Sequence, residues 1–239
     1  MDTSIEPEQH YAKHGYAVFR DQLSPALVAD LTHEYRKVPE TSYLLEPHFR
    51  SYRHVSQHSE LFRSLALRGF FPQLAAALIG VPAVRLLFDQ FIVKPAGVEG
   101  TPWHQDQPSL CFDSFGICTF WIPLVDIRVG SGGVQFFHDD RRAKGPVDGI
   151  GLRVETTKQG LSAQSLPLLT GSFTVHDGWA IHRAEANATP NDRPAINLVY
   201  FDAGARVEAL SGRDWRAARD KFFPGREPGD VADNCPVAG

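Results

Sequence analysis

A mainly β jelly-roll sandwich, with helices packed on one of its sheets, is the fold that this 239-residue sequence predicts. Two observations predict it: a helical first third with clear start and stop signals, and a change of texture at Val84 into short segments rich in β-branched and aromatic residues. In the first third, Ser24-Pro25 reads as an N-cap followed by Pro at the first helical position, and Leu27, Val28, Leu31 and Tyr35 recur at helical spacing. A second helix is expected from Ser59 to Leu67 and a third from Phe71 to Ile79, where Gly80 stops it. Strands are then expected over Val84–Val93 (VRLLFDQFIV), Cys118–Val125 (CTFWIPLV), Gly133–Phe137 (GVQFF), Gly171–His176 (GSFTVH), Trp179–Glu185 and Pro194–Phe201 (PAINLVYF). Gly, Pro and Asp clusters punctuate them, and regularly spaced short strands behind a helical preface are the pattern of a jelly roll with helices on one sheet. A last helix is expected over Arg213–Phe222, and the following FPGREPGDVADNCPVAG is too rich in Pro and Gly for regular structure. Without internal repeat or low-complexity linker, the chain reads as one domain over 1–239, with a helical preface 1–82, a jelly-roll core 83–202 and a C-terminal helix and tail 203–239.

Apolar residues at 43% are enough to build a core of this size, and charged residues at 22% are ordinary for a soluble chain. The formal charge of −4 provides no basic footprint for nucleic acid or an anionic membrane. No apolar stretch approaches the ~18 residues of a membrane span, and MDTSIEPEQHYAKHGY lacks the layout of a signal peptide. Cys111, Cys118 and Cys235 are odd in number and widely spaced, so neither a disulfide framework nor a zinc knuckle is indicated. A cytoplasmic protein whose partner is a small molecule, rather than nucleic acid or membrane, is expected.

The chemistry is carried by Trp103-His104-Gln105-Asp106 and, much later, His182 followed by Arg193. A His-x-Asp pair and one distant His supply two imidazoles and a carboxylate, the set that grips one face of Fe(II) and leaves positions for cosubstrate and oxygen. Residues i and i+2 of a strand face the same side, so such a pair at a strand end can hold one ion. A rival pair, His138/Asp140, lies in a charge cluster (HDDRR) better read as a solvated turn, whereas His104 follows the Gly/Pro-rich PAGVEGTP at a loop-to-strand entry. The distal position also has two candidates, His176 and His182, separated by the turn dipeptide Asp177-Gly178. Arg193 lies beyond the turn Thr189-Pro190-Asn191-Asp192, which brings it back beside the strand of His182. There its planar fork suits the carboxylate of an organic acid.

These residues resemble the phytanoyl-CoA dioxygenase family of Fe(II)/2-oxoglutarate oxygenases. WHQD at 103–106 is similar to the family's aromatic-His-x-Asp segment, and FWIPLVDIRVGSGGVQFFHDD at 120–140 to its "W-x-x-L-D … N-G … PGSH" stretch. VHDGWAIHRAEANATPNDR at 175–193 resembles its "H-x-x-x-x-x-H … N … R" stretch, with Asn187 fitting, and HYAKHGYAVFRDQLSPALVADL at 10–31 its opening helix and strand. The resemblance implies a double-stranded β-helix, the cupin-like jelly roll, with Fe(II) held by His104, Asp106 and His182. Arg193 would bind 2-oxoglutarate, with Thr119 as a second donor and Gln90 as a further cofactor contact. It implies hydroxylation of a small-molecule metabolite, with 2-oxoglutarate and O2 converted to succinate and CO2. Desaturation or ring closure at the same site is the alternative. Asp106 argues against halogenation, since related halogenases carry a small residue there. Departures from the pattern are Ser131-Gly132-Gly133 in place of N-G, Phe136-Phe137-His138 in place of PGSH, and Ala184 where a small hydroxyl residue often follows the distal His.

For the substrate pocket the candidates are Phe91, Trp103, Gln107 and Trp121, with core packing an equal reading for Phe91 and Trp121. Arg213, Arg216 and Arg219 form either a solvated helix face or a lid meeting an anionic substrate. Two other classes remain open: a jelly-roll binding or sensor protein without turnover, for which Arg193 has no use, and a zinc hydrolase with Glu99 as general base.

Overall fold

The computed structural model describes residues 6–111, 116–137, 163–209 and 215–239. The chain opens with α1 (Pro7–His14), β1 (Tyr16–Phe19) and α2 (Pro25–Lys37), then a hairpin of β2 (Leu44–Glu46) and β3 (Phe49–Arg53). Two further helices, α3 (Glu60–Leu67) and α4 (Phe70–Ile79), lead into the long strand β4 (Val84–Lys94). There follow β5 (Ile117–Pro123), β6 (Val134–Phe137), β7 (Ala163–Ser165), β8 (Phe173–Asp177), β9 (His182–Ala184) and β10 (Arg193–Asp202). Helix α5 (Trp215–Phe222) and the short β11 (Val237–Ala238) close the chain.

The expected helices form where their caps predict. Ser24 Oγ accepts a hydrogen bond from Leu27 N at 3.2 Å at the start of α2, and Ser59 Oγ accepts one from Phe62 N at 3.3 Å at the start of α3. Helix α4 stops at Gly80, whose φ of +82° closes the last turn without a side-chain penalty. The strands pair antiparallel in an eight-stranded sheet, ordered β1-β8-β5-β10-β4-β3-β2 with β11 added on β4, and a three-stranded sheet ordered β7-β6-β9. This is the expected jelly-roll core. The preface is less purely helical than predicted, because β1, β2 and β3 lie within it and join the large sheet. The tail also supplies a strand, with Val237 and Ala238 pairing with Arg85 and Val84. Arg213, expected to begin the last helix, lies outside the described residues.

Alternation along the central strands separates two environments. Phe91 and Val93 of β4, Phe120 and Ile122 of β5, Phe173 and Val175 of β8, and Ile196, Leu198 and Tyr200 of β10 are buried in one cluster with Phe62 and Ala66 of α3 and Phe71 and Ala75 of α4. Tyr200 Oη donates to Ala66 O at 2.8 Å, satisfying the one polar atom that this ring brings into the core. On the opposite face β4 presents Phe88, Gln90, Ile92 and Lys94, β5 presents Ile117, Thr119 and Trp121, and β10 presents Arg193, Asn197 and Val199.

Phe91 is therefore not a pocket residue. It is fully buried between the sheet and the helices, 4.8 Å from the Phe62 ring centroid and 5.5 Å from that of Tyr35. Adjacent residues in this part of the strand face opposite sides, so Gln90 lines the cavity while Phe91 packs against the helices. Phe91→Ala is expected to lower unfolding stability by about 3–5 kcal/mol in a urea titration, while leaving 2-oxoglutarate affinity of the folded protein unchanged; a pocket wall would show the reverse.

Candidate metal and anion site

The polar face of the large sheet floors a cavity of about 330 Å³ whose opposite wall comes from β6 and β9. His104 and His182 are drawn together by the backbone: His104 N donates to His182 O and His182 N to His104 O, both at 3.0 Å. Each imidazole is then oriented by a local carbonyl. His104 Nδ1 donates to Pro102 O at 2.9 Å and His182 Nδ1 to Ala180 O at 3.0 Å. A carbonyl only accepts, so Nδ1 carries a proton, and in the neutral imidazole it is Nε2 that keeps the lone pair. Both Nε2 atoms lie 3.8 Å from the same oxygen, Asp106 Oδ1. The other oxygen, Oδ2, faces Thr119 Oγ1 at 3.5 Å and His176 Nε2 at 3.4 Å.

Electrostatics keeps this set in its ligating forms. Burial alone would raise the Asp106 carboxyl, but the imidazoles of His182, His176 and His104 outweigh it and hold the group below the usual carboxylate range. Burial first, then repulsion from His104 and His176, holds His182 well below an ordinary histidine against the pull of Asp106, so it stays neutral. One donor atom from each of His104, Asp106 and His182 lies within 4.8 Å of the others. Two imidazoles and one carboxylate oxygen, all on one side of an open cavity, fit a divalent ion bound by one face.

Deeper in the same cavity, Arg193 is buried with Nε and Nη1 lacking any partner among the described residues. Its guanidinium lies over the Trp121 ring, 5.1 Å from the centroid, and burial pulls its pKa down. Buried donors are normally satisfied, so a guanidinium held open in this way is prepared for an anion. Asn187 places it: Nδ2 donates to Lys94 O, Pro95 O and Asn191 O, and Oδ1 accepts from Thr189, tying the turn before Arg193 to the end of β4. Beside it Lys94 is also buried, its Nζ donating to Glu99 O at 2.6 Å and His48 O at 3.2 Å. Gly132, at φ +77°, makes room for both cations, because a Cβ there would lie 2.8 Å from Lys94 Cδ and 3.5 Å from Arg193 Nε. Ser131-Gly132-Gly133 thus serves where the family pattern has N-G.

Of the residues singled out from sequence, His104, Asp106, His182, Arg193, Thr119, Gln90 and Trp121 line this one cavity. Trp103 and Gln107 do not. Trp103 is buried with the Arg183 guanidinium 4.7 Å from its ring centroid, and its edge meets Phe137. Gln107 N donates to Gly178 O, and its side chain packs so closely on Gly178 that a Cβ there would lie 2.8 Å from Oε1. Trp103, next to His104 in extended chain, falls on the opposite side from it, and the bend at Asp106 turns Gln107 away from the cavity. Glu99 is exposed and off the cavity, so the zinc-hydrolase reading has no general base there. Arg216 is exposed and Arg219 is ion-paired with Asp220 and Glu227, which leaves the solvated-face reading for both. His138 and Asp140 lie outside the described residues. Sequence reasoning passed over Lys94 and Asn197, which share the alternation parity of Gln90 and Arg193, and set aside His176, whose imidazole lines the cavity beside Asp106.

The model of the phytanoyl-CoA dioxygenase (PhyH) family matches residues 11–195. The chain belongs to this family. As a phytanoyl-CoA dioxygenase family member it is a non-haem iron- and 2-oxoglutarate-dependent oxygenase, and the donor set above is of the kind that chemistry requires. No curated protein matches the sequence. Among solved structures it is similar to the α-ketoglutarate-dependent carbocyclase SnoK from nogalamycin biosynthesis, at 21% identity and TM-score 0.80 over 100% of this chain and 97% of that one. The epimerase SnoN, in complex with Fe3+, α-ketoglutarate and nogalamycin RO, is similar at 21% identity and TM-score 0.77, over 97% of this chain and 96% of that one. EctD from S. alaskensis, with 2-oxoglutarate and 5-hydroxyectoine, is similar at 17% identity and TM-score 0.71, over 98% of this chain and 88% of that one. At these identities the likeness shows the shared fold. No helix among the described residues is long and apolar enough to cross a membrane.

Lys94 yields a pH prediction. Burial, then repulsion from Arg193, against the pull of Glu99, pushes its pKa down to about 8 from the ordinary 10.5. Between these two values the unfolded chain binds more protons than the folded one, so this group's contribution to stability rises with pH across that window and is at its least favourable below about 8. Urea unfolding of wild type beside Lys94→Met is expected to show the difference moving in favour of wild type from about pH 8 to about pH 10; a pH-independent difference would refute the buried, depressed ammonium.

Proposed function

We propose that this protein hydroxylates an unactivated C–H of a small-molecule metabolite, with Fe(II) held by His104, Asp106 and His182 and 2-oxoglutarate held by Arg193. The observation that carries the reading is one cavity containing both a convergent His/Asp/His set and a buried guanidinium without an anion. When bound, the iron with 2-oxoglutarate and O2 supplies the oxidising power that turns C–H into C–OH, while 2-oxoglutarate leaves as succinate and CO2.

The protein's residues do the rest. His104 and His182 direct their Nε2 atoms toward Asp106 Oδ1 because their Nδ1 protons are committed to Pro102 O and Ala180 O. Asp106 offers Oδ1 while Thr119 and His176 occupy Oδ2, so a single carboxylate oxygen is directed at the ion. Thr119 thus acts beside the carboxylate ligand rather than as the predicted second donor to the cosubstrate. Arg193 binds the distal carboxylate of 2-oxoglutarate through its two unpartnered nitrogens, with Lys94 adding positive charge beside it. Gln90 and Asn197, paired across β4 and β10, form a polar floor, and the Trp121 ring under Arg193 keeps water from that guanidinium. Asp106 fills the coordination position that a halide needs, which favours hydroxylation over halogenation.

Succinate release by Fe(II)-loaded protein supplied with 2-oxoglutarate and air tests this directly. Wild type is expected to turn over slowly without substrate, and His104→Ala not at all. Losing one charge-assisted contact worth roughly 1.5–3 kcal/mol should make Arg193→Ala need about ten- to a hundredfold more 2-oxoglutarate. Absence both of turnover and of a 2-oxoglutarate-dependent visible band under anaerobic Fe(II) would remove the reading.

A further inference from the structure

The charge lining the cavity does not balance. Its described lining contains five cationic side chains, Arg53, Lys94, Arg183, Arg193 and Lys221, and one carboxylate, Asp106. The chain as a whole carries −4, so this positive concavity is a local feature and not a reflection of overall charge. A divalent ion and the dianion 2-oxoglutarate cancel one another and leave the excess unchanged. Arg193 and Lys94 are both buried, and Arg183 is engaged with Gln135 Oε1 at 2.7 Å and with the Trp103 ring. The cations left for a second ligand are Arg53 and Lys221, which face a single carboxylate between them, Glu46, outside the cavity lining.

These two come from separate parts of the chain and meet at one wall. Arg53 ends β3 and is paired in register with Gln90, which places it beside the polar floor. Its Nε is buried without a partner, and its Nη2 lies 3.6 Å from Glu46 Oε1 on the half-exposed rim, an ion pair in solvent of little strength. Lys221, in the last turn of α5, rests over the Phe222 ring at 4.8 Å, repelled by Arg53 and attracted by the same Glu46. Phe222 in turn stacks on Phe88, with centroids 6.1 Å apart and planes 18° from parallel. Arg53, Leu87, Phe88, Lys221 and Phe222 also line a neighbouring cavity of about 570 Å³, so the wall they form is shared by both spaces.

We propose that the substrate is an organic acid with an apolar body, its anionic group held by Arg53 and Lys221 and its body lying against Phe88 and Phe222 with the reacting carbon toward His104 and His182. This rests on the oxygenase reading and adds the chemical class of its substrate. A positive, partly apolar cleft concentrates such anions and orients them by their charged end.

The test uses full-length protein with anaerobic Fe(II) and saturating 2-oxoglutarate, so that Arg193 is already engaged. The probes are ω-phenylalkanoates with two to four methylenes and the matching primary amides, with binding read from tryptophan fluorescence. The acids are expected to bind about tenfold more tightly than their amides, the worth of one charge-assisted contact. That preference should largely vanish in Arg53→Gln, and Lys221→Glu, a change at an exposed position, should invert it. Equal binding of acid and amide, no binding of either, or a preference that survives both substitutions would overturn the proposal. The 2-oxoglutarate-dependent visible band, recorded in the same wild-type samples, reports the oxygenase reading separately. Either result can therefore fail alone.

Discussion

Strand β10 is hydrogen-bonded along both edges, to β4 and to β5, and the rest of the molecule is organised around that constraint. A strand held on both sides cannot rotate about its axis, so its side chains alternate strictly between two faces. Ile196, Leu198 and Tyr200 are committed to the helices, and Arg193, Asn197 and Val199 to the cavity. A one-residue slip would put the guanidinium in the hydrophobic core and a leucine in the cavity. The core on one face therefore fixes the register of the site on the other. The bulge between Val199 and Tyr200 comes after the last cavity residue and leaves that register intact.

The second organising feature is positive charge held without its partner. A buried guanidinium and a buried ammonium side by side oppose folding, through lost hydration and through mutual repulsion. The protein limits this with neutral devices: backbone carbonyls for Lys94, an aromatic face for Arg193, and a glycine at 132 that leaves room for both. None of these supplies a negative charge. Apart from the attraction of Glu99 for Lys94, the compensation falls, on the proposed reading, to an anion that arrives from solution, and the site then gives up stability in the free state for affinity in the bound one. The proposed metal site shows a milder form of the same arrangement, with the imidazoles of His104, His176 and His182 held around the Asp106 carboxylate.

How much of this was legible in the sequence follows from how local each feature is. The caps of α2 and α3 and the stop at Gly80 act within four residues, and they were readable. His182 and Arg193 do share one cavity, but not as neighbours across one turn: β9 lies in the small sheet and β10 in the large one, a separation that no local pattern shows. Reading Phe91 beside Gln90 as a pocket residue ignored strand parity, which would also have pointed to Lys94 and Asn197. Trp103 and Gln107 were chosen for adjacency to the ligand pair, but extended chain at Trp103 and a bend at Asp106 separate sequence neighbours in space. Strands β2 and β3 are short, with polar FRSYR in the second, and β11 has two residues; none is long enough to show a hydrophobic period. Arg53 and Lys221 are 168 positions apart in the chain, and only the pairing of β3 with β4 and the return of α5 bring them to one wall. Local patterning carries no information about such a meeting.

The division between what the metal ligands set and what the walls set bears on the reaction. Carbocyclase, epimerase and structures bound to 5-hydroxyectoine share this fold at low identity, so the scaffold by itself does not choose among outcomes. In this chain the Asp106 carboxylate is held by Thr119 and His176 through one oxygen, leaving the other for the metal, and nothing in that arrangement selects a substrate carbon. The selection has to come from groups that grip the substrate at a distance from the ion. Binding energy from a remote, non-reacting group can fix a C–H bond where the oxidant forms, and a displacement of about an ångström is enough to change which bond is attacked or whether oxygen is transferred at all. The wall built by Phe88, Phe222, Arg53 and Lys221 is the part of this cavity equipped for that task, since it combines apolar surface with charge uncommitted to the cosubstrate.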